Sequence, residues 1–380
     1  MNTYAQKIRR ELHRHPEIGF DLPNTVAVVK RELEAIGLPY TEQYGQGSVV
    51  ATLNAGKGTY TIALRADMDA LPMQEQNDVP YQSQVPGKMH ACGHDAHTAI
   101  LLATAKELKE NADKINSCVK FLFQPAEETS GGAKMMLDNG AIDDVDCVLG
   151  LHCDNTYQVG QIMVFPKEQN ANSDGFYLDF YGVSSHASVQ HQGADAIMMA
   201  VKAYTAIEFM VAKEINTLHP CIFNVGSIHA GETNNIVADH CRMFCTLRTY
   251  YDEDREKALA RIKAIVDAVA LESGGRGEYT QQKYYPIVYN DPQMTQKLVQ
   301  TAEKVVGKDH VDTNDHRSMI GEDFSYFTQK RPGCFFRLGT GNKEKGITAG
   351  LHRVDFDIDE DALNIGVKMF TQYIYDHING

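Results

Sequence analysis

The sequence predicts an α/β protein in which a mixed sheet covered by helices is interrupted by a smaller inserted α+β domain. Three observations carry this. Helix and strand patterns alternate through the first part of the chain, the order then changes to β-α-β-β-α-β, and the alternation resumes after Pro286. The length of 380 residues agrees, because a single hydrophobic core stops growing near ~250–300 residues. We expect one discontinuous domain over 1–170 and 284–380, and an inserted one over 171–283.

Taken in order, Ile8 and Leu12, then Val26, Val29, Leu33 and Ile36, recur at helical spacing, while VVATLN and TYTIAL read as strands. A helix is expected over 96–108. CVKFLFQ is too apolar and too short for anything but a buried strand; a glycine-opened helix at 132–139 and a strand through VDCVLGLH follow it. In the middle segment FYLDFYG alternates, a long helix covers 195–212, and IFNVGSI and 236–248 read as strands. A helix at 252–271 places Leu259, Ile262, Val266 and Val269 on one face, with Asp252 to cap its start, and EYTQQKYYPI closes the set as a strand. That order gives four strands with two helices on one face, an open-faced sandwich. Beyond Pro286, a helix at 293–306, a strand at CFFRLG and a terminal helix over 359–377 complete the larger domain.

The composition, 43% hydrophobic and 23% charged, is that of a soluble globular chain. Thirty-six basic against fifty acidic side chains give a net charge of −14, which repels polyanions and anionic membranes, so neither nucleic acid nor membrane is an expected partner. MNTYAQKIRRELHRHPE lacks a signal-peptide core and no apolar run approaches the ~18 residues of a spanning helix, so the expected compartment is the cytoplasm. The eight cysteines show no secreted-scaffold spacing and read as reduced thiols; Cys241 and Cys245, four apart in an alternating segment, fall on one strand face.

Metal-capable side chains are densest in MHACGHDAH, which holds His90, Cys92, His94, Asp95 and His97. A turn before the helix would converge Cys92 and His94, a thiolate and an imidazole suited to a borderline divalent ion. Glu127 and Glu128, adjacent after the strand CVKFLFQ, repel unless a cation neutralises one and leaves the other to accept a proton. His152 ends the strand CVLGLH, and His352 precedes the terminal helix. A lone histidine in either place is more often structural, but all four sites fall at strand ends or adjoining turns of the same domain. Together they suffice for two divalent ions roughly 3.5–4 Å apart.

RRELHRHPE, LRADMDALPMQE, MHACGHDAHTA, FLFQPAEE, GLH, GEDFSYF and LHRVDFDIDE, taken together, resemble the signature segments of the N-acyl-amino-acid amidohydrolases. These are the hippurate hydrolase, aminoacylase and auxin-conjugate hydrolase branch of the carboxypeptidase G-like metallopeptidases. The resemblance implies a catalytic domain carrying an inserted ferredoxin-like domain that often dimerises, so a homodimer through the inserted domain is expected. It implies two divalent ions per subunit, Mn, Zn, Co or Ni, held by Cys92, His94, Glu128, His152 and His352, with Glu127 as general base. His186 would match a histidine that reaches the substrate carbonyl oxygen, and Asn235 and Arg248 fall where relatives approach substrate. Asp69 is expected to orient a ligand imidazole, the competing reading being a turn-forming aspartate.

The implied activity is hydrolysis of the amide of a small N-acyl amino acid, N-acetyl or aroyl. A dipeptidase or carboxypeptidase on the same site, and a non-catalytic protein that keeps the metal, are the rivals. The chain departs from the family pattern in the inserted domain. Ser184 and Ser185 stand where relatives have two glycines before the histidine, the run from Asn235 to Asp239 lacks the usual proline, and Val354 replaces a proline near the last ligand. Serine reaches positive φ less cheaply than glycine, so backbone freedom beside His186 is expected to be reduced.

Overall fold

The computed structural model describes residues 3–129 and 131–377. The chain divides into two compact units: Met1–Gln169, Val288–His316 and Asp323–Gly380 form the first, Asn170–Ile287 and Arg317–Glu322 the second.

In the first unit, with strands and helices numbered along the whole chain, β1 (Tyr40–Thr41), β2 (Val49–Leu53), β3 (Thr61–Asp67), β4 (Cys118–Gln124), β5 (Cys147–Gln158), β6 (Ile162–Met163), β13 (Val311–Asp312) and β14 (Gly333–Gly341) make one sheet. Their order is β1-β2-β4-β3-β5-β14-β6-β13, and β7 (Lys167–Asn170) pairs separately with β12 (Val288–Asn290). β3 runs parallel to both β4 and β5, and β5 parallel to β14, so the mixed sheet has a parallel centre. These central strands are apolar on both faces because helices cover both. Ile62, Leu64, Phe121 and Phe123 pack in one core with Ile8 and Leu12 of α1 (Tyr4–Arg14), Val29 and Leu33 of α2 (Pro23–Ile36), Leu101 of α3 (His94–Glu110), Leu298 of α7 (Pro292–Val306) and Phe370 of α9 (Asp361–His377). The alternate residues Ala63, Leu122 and Val148 pack with Met136 of α4 (Gly132–Asp138) and Phe327 of α8 (Ser325–Lys330).

The RRELHRHPE segment is structural. Arg9, fully buried, donates to Asp95 at 2.9 Å, to Asp357 at 2.7 Å and to Glu360 at 3.4 Å, tying α1 to α3 and to the chain before α9. His13 sits between Asp95 at 2.7 Å and Glu75 at 3.1 Å; burial favours its neutral form, but these acids prevail and raise its pKa. Arg9→Met should strand buried carboxylates and cost about 3–5 kcal/mol, read as a lowered midpoint of denaturant unfolding. An unchanged midpoint would refute the structural role.

The second unit has the order foreseen: β8 (Asn172–Tyr181), α5 (Ala196–Glu214), β9 (Cys221–Ala230), β10 (His240–Thr249), α6 (Asp252–Glu272) and β11 (Arg276–Tyr285). The sheet reads β11-β8-β10-β9 with every pair antiparallel. Phe176, Leu178, Phe180, Cys241, Met243, Cys245 and Leu247 alternate inward beneath α5 and α6, so Cys241 and Cys245 do share a face. All eight cysteines are free.

Three details differ from expectation. β11 continues to Tyr285, so the second unit outlasts residue 283. The segment 317–322, expected in the larger domain, belongs to the second unit: Ser318 bridges to Asn170, and Gly321 lies against Ser173 and Arg248 so closely that a Cβ would meet them at 2.7–2.9 Å. Asp252 is the first residue of α6 rather than its cap, and with Glu253 and Asp254 it complements the helix dipole. No helix among the described residues is long and apolar enough to cross a membrane.

Candidate active site

The ends of the parallel strands bring the site together. Beyond β3, the backbone carbonyl of Asp69 accepts from His94 Nδ1 at 2.8 Å, while its carboxylate accepts the backbone N–H of Glu127 at 2.9 Å and of Glu128 at 3.2 Å. Asp69 therefore holds the His94 ring most closely through its carbonyl, with its carboxylate 3.5 Å from the same nitrogen and bound to the turn carrying both acids. Ala126, just before that turn, is held at φ 57°, a left-handed conformation rare for a residue with a Cβ.

Helix α3 starts at His94, two residues earlier than the spacing suggests. Gly93 at φ 85° makes this possible, and a Cβ there would lie 3.1 Å from the Cys153 side chain. With Nδ1 engaged, His94 turns Nε2 inward, 3.9 Å from Glu128 Oε1. His152 Nδ1 donates to the Cys153 carbonyl at 2.7 Å, which leaves Nε2 facing Cys92 Sγ at 3.5 Å. His352, also left-handed at φ 60°, is pinned by its N–H to the Ala91 carbonyl at 2.8 Å and brings Nε2 to 3.2 Å from Glu128 Oε1.

Donor atoms of Cys92, His94 and His152 lie within 4.8 Å of one another, as do those of Cys92, Glu128 and His352, and of His94, Glu127 and Glu128. Six side chains from four places in the sequence thus share one locus. His94 Nε2 and Glu128 Oε1 are buried without a hydrogen-bond partner. Orphaned buried polar atoms cost about 1–3 kcal/mol each, a cost that a cation between them removes. Protonation differs between the two imidazoles: burial holds His152 neutral, its pKa far below the usual value, so its lone pair is available, whereas at His94 burial is outweighed by Asp67 and Cys92, which raise the pKa, so its proton must leave as a cation enters. Burial and then Glu128 push the Cys92 thiol well above its normal range, so its proton leaves only in exchange for another positive charge. The donor set fits a borderline divalent ion.

His97, Asp95 and His90 of the MHACGHDAH cluster are buried, but none belongs to that donor set. His97 donates from Nδ1 to Asp67 at 2.6 Å and accepts the Cys153 N–H at 2.9 Å on Nε2. Asp95 holds Arg9 and His13. Burial pulls the pKa of His90 down to about 3, keeping it neutral.

His186, Asn235 and Arg248 lie in the second unit. His186 opens a short 3₁₀ turn, its Nδ1 accepting the Ser188 N–H at 3.1 Å with the Ser188 hydroxyl at 2.7 Å. The neutral ring therefore carries its proton on Nε2. The Asn235 carbonyl accepts from the Ala187 N–H at 3.0 Å, so the two loops are adjacent. Arg248 is half-buried on β10; its guanidinium makes no hydrogen bond or ion pair among the described residues, and burial lowers its pKa. Asp174, the acid that opposes this shift, is already held by Arg255 at 2.7 and 2.8 Å.

The model of peptidase family M20/M25/M40 matches residues 63–376, most of the chain. This protein belongs to that family. Among M20 relatives, thermostable carboxypeptidase 2 of Saccharolobus solfataricus is 35% identical, covering 95% of this chain and 92% of its own length. N-acetylcysteine deacetylase of Bacillus subtilis is 31% identical, covering 98% and 96%. The crystal structure of Bacillus subtilis YxeP, described as a dinuclear metal-binding peptidase of family M20, superposes with a TM-score of 0.84 at 28% identity, covering 98% of this chain and 97% of that one.

Against the M20 pattern, the departures prove mild. Neither Ser184 nor Ser185 has positive φ, so the backbone before His186 needs no glycine and the expected loss of freedom carries no strain. Val354 offers its carbonyl to the Gln76 N–H at 2.8 Å, a bond that a proline could equally accept. Two residues behind the donor set escaped sequence reasoning. Asp67 and Arg65 sit in LRADMDALP, where only strand position could have drawn attention to them, and they make an ion pair at 2.7 Å.

Proposed function

We propose that this hydrolase binds two divalent cations through Cys92, His94, Glu128, His152 and His352, and cleaves the amide of small N-acyl amino acids, N-acetyl or aroyl, to a free amino acid and a carboxylate. The observation that carries the reading is the meeting of a thiol, imidazoles and two adjacent acids around buried polar atoms without partners. When bound, the cations would acidify a water and polarise the scissile carbonyl. Glu127 would take the water proton at its carboxylate and deliver it to the leaving nitrogen. His186, with its proton on Nε2, would donate to the developing oxyanion.

Arg248 supports the N-acyl amino acid over an uncharged amide, because a half-buried guanidinium without an acidic partner suits a substrate carboxylate. Asn235, beside the His186 loop, is assigned to substrate binding with it. Edge strand β9 exposes Ile222 and Ile228, and helix α5 exposes Val201 and Phe209; these surfaces support a homodimer through the inserted domain. Free cysteines support a cytoplasmic location.

The test is a panel of N-acetyl and N-benzoyl amino acids, their carboxamides and a dipeptide, each run with Mn, Zn, Co and Ni. N-acyl amino acids should be cleaved fastest. Arg248→Ala should raise their KM about 10–100-fold, as expected for losing a charge-assisted bond, and leave the carboxamides nearly unaffected. Faster cleavage of the dipeptide would favour the dipeptidase rival, and metal binding without any turnover would sink the enzymatic reading.

A further inference from the structure

His97 and Asp67 raise a question that the donor set leaves open. With His94 they offer atoms within 4.8 Å of one another, the arrangement of another cation site. Their bonding argues otherwise. Asp67, fully buried, has one oxygen at 2.6 Å from His97 Nδ1 and the other at 2.7 Å from Arg65 Nη1. Arg65 is itself held, donating to Gln124 at 2.7 Å and to Asp323 at 2.8 Å, while Asp323 also accepts from Gln124 and from the Ala133 N–H at 3.0 Å. With the carboxylate anchored, His97 Nδ1 must donate to it, and Nε2 is left to accept the Cys153 N–H at 2.9 Å. Cys153 follows His152 directly, and its carbonyl takes the His152 Nδ1 proton at 2.7 Å. The His97 and His152 rings meet edge to face at 4.8 Å.

We propose that Asp67 and His97 are positioning residues rather than ligands: the chain Asp323–Arg65–Asp67–His97 fixes the peptide after His152 and so aims His152 Nε2 at the cation. This rests on the ligand set proposed above. It also gives the GEDFSYF segment a task, since Asp323 anchors the far end of the chain. Arg65 occupies the Asp67 oxygen that lies 3.6 Å from His94 Nε2, which keeps that carboxylate out of the ligand set.

The two ring nitrogens of His97 can be removed separately. His97→Gln places an amide oxygen near Nε2 and keeps an acceptor for the Cys153 N–H; His97→Asn keeps a donor to Asp67 and loses that acceptor. Cobalt(II) titration of the chelator-treated protein, with melting in EDTA to check folding, reads both variants. For His97→Asn we expect cobalt affinity about 10–100-fold weaker, the range for residues that support a ligand, with the parent ratio of cobalt to protein regained at saturation. His97→Gln should lose less than about 10-fold. Asp67→Asn, isosteric with the parent residue, should weaken cobalt as His97→Asn does, and serves if that variant does not fold. A lower saturating ratio in both His97 variants would make His97 a ligand and overturn the proposal, as would parent-like titration of folded His97→Asn. A parent protein that takes up no cobalt would overturn the ligand set itself, a failure visible before any variant is compared.

Discussion

Glu127→Gln is expected to lower kcat by about 10²–10⁴-fold while cobalt binding stays at the parent level. The geometry alone lets either acid of the pair reach a cation, because His94, Glu127 and Glu128 all offer atoms within 4.8 Å. What separates them is their company: Glu128 also groups with Cys92 and His352, whereas Glu127 groups with His94 and Glu128. The other nearby carboxylates are committed, Asp69 to the backbone of the turn and Asp67 to Arg65 and His97. Glutamine preserves the volume of Glu127 and its backbone N–H, which Asp69 holds at 2.9 Å, so the turn should survive. Only the ability to take a proton is lost. Turnover within about 10-fold of the parent would mean that the base lies elsewhere, since a positioned base contributes at least about 10². Lost cobalt would instead make Glu127 a ligand.

The candidate ligands were legible because each stands in a segment whose composition is hard to explain otherwise: MHACGHDAH before a helix, two acids after a buried strand, histidines closing apolar runs, although His152 lies in the middle of β5 rather than at its end. The inserted unit was legible for a different reason. Strands of ten residues, such as those carrying Phe176 and Met243, give period-2 patterns long enough to read, and the helix around Ile262 gives a clear 3.6 period. Two-residue strands such as β6 and β13 carry no period at all. Nor does the segment 317–322, whose place in the second unit depends on Ser318 meeting Asn170 and on Gly321 having no Cβ. The buried chain behind the site was out of reach because Arg65 and Asp323 are 258 positions apart and nothing local marks them as partners. His97 was counted among metal-capable residues, but its neighbours had already taken both nitrogens.

Cys92→Ala should weaken cobalt binding more than about 100-fold, beyond the roughly 10–100-fold typical of residues that only support a ligand. Cys92 is common to two three-atom neighbourhoods, grouping with His94 and His152 on one side and with Glu128 and His352 on the other, so its loss touches every proposed cation. The alternative is that Cys92 is one more buried thiol, like Cys153 or Cys334. Burial raises the pKa of those two as well, to about 12 for Cys334, but neither is grouped with an acid and an imidazole in the clusters named above. A buried thiol that only packs should tolerate alanine at a cost in stability, with cobalt uptake unchanged. A thiol that surrenders its proton to a cation should show two further signs in the parent: cobalt affinity that rises with pH, and a thiolate-to-cobalt charge-transfer band that disappears in Cys92→Ala. Cys92→Ser separates geometry from chemistry, because it restores a donor atom of similar reach that remains protonated near neutral pH; it should lose the band and most of the affinity. An alanine variant that keeps both would remove Cys92 from the ligand set and leave His94 and His152 without the neighbour their geometry implies.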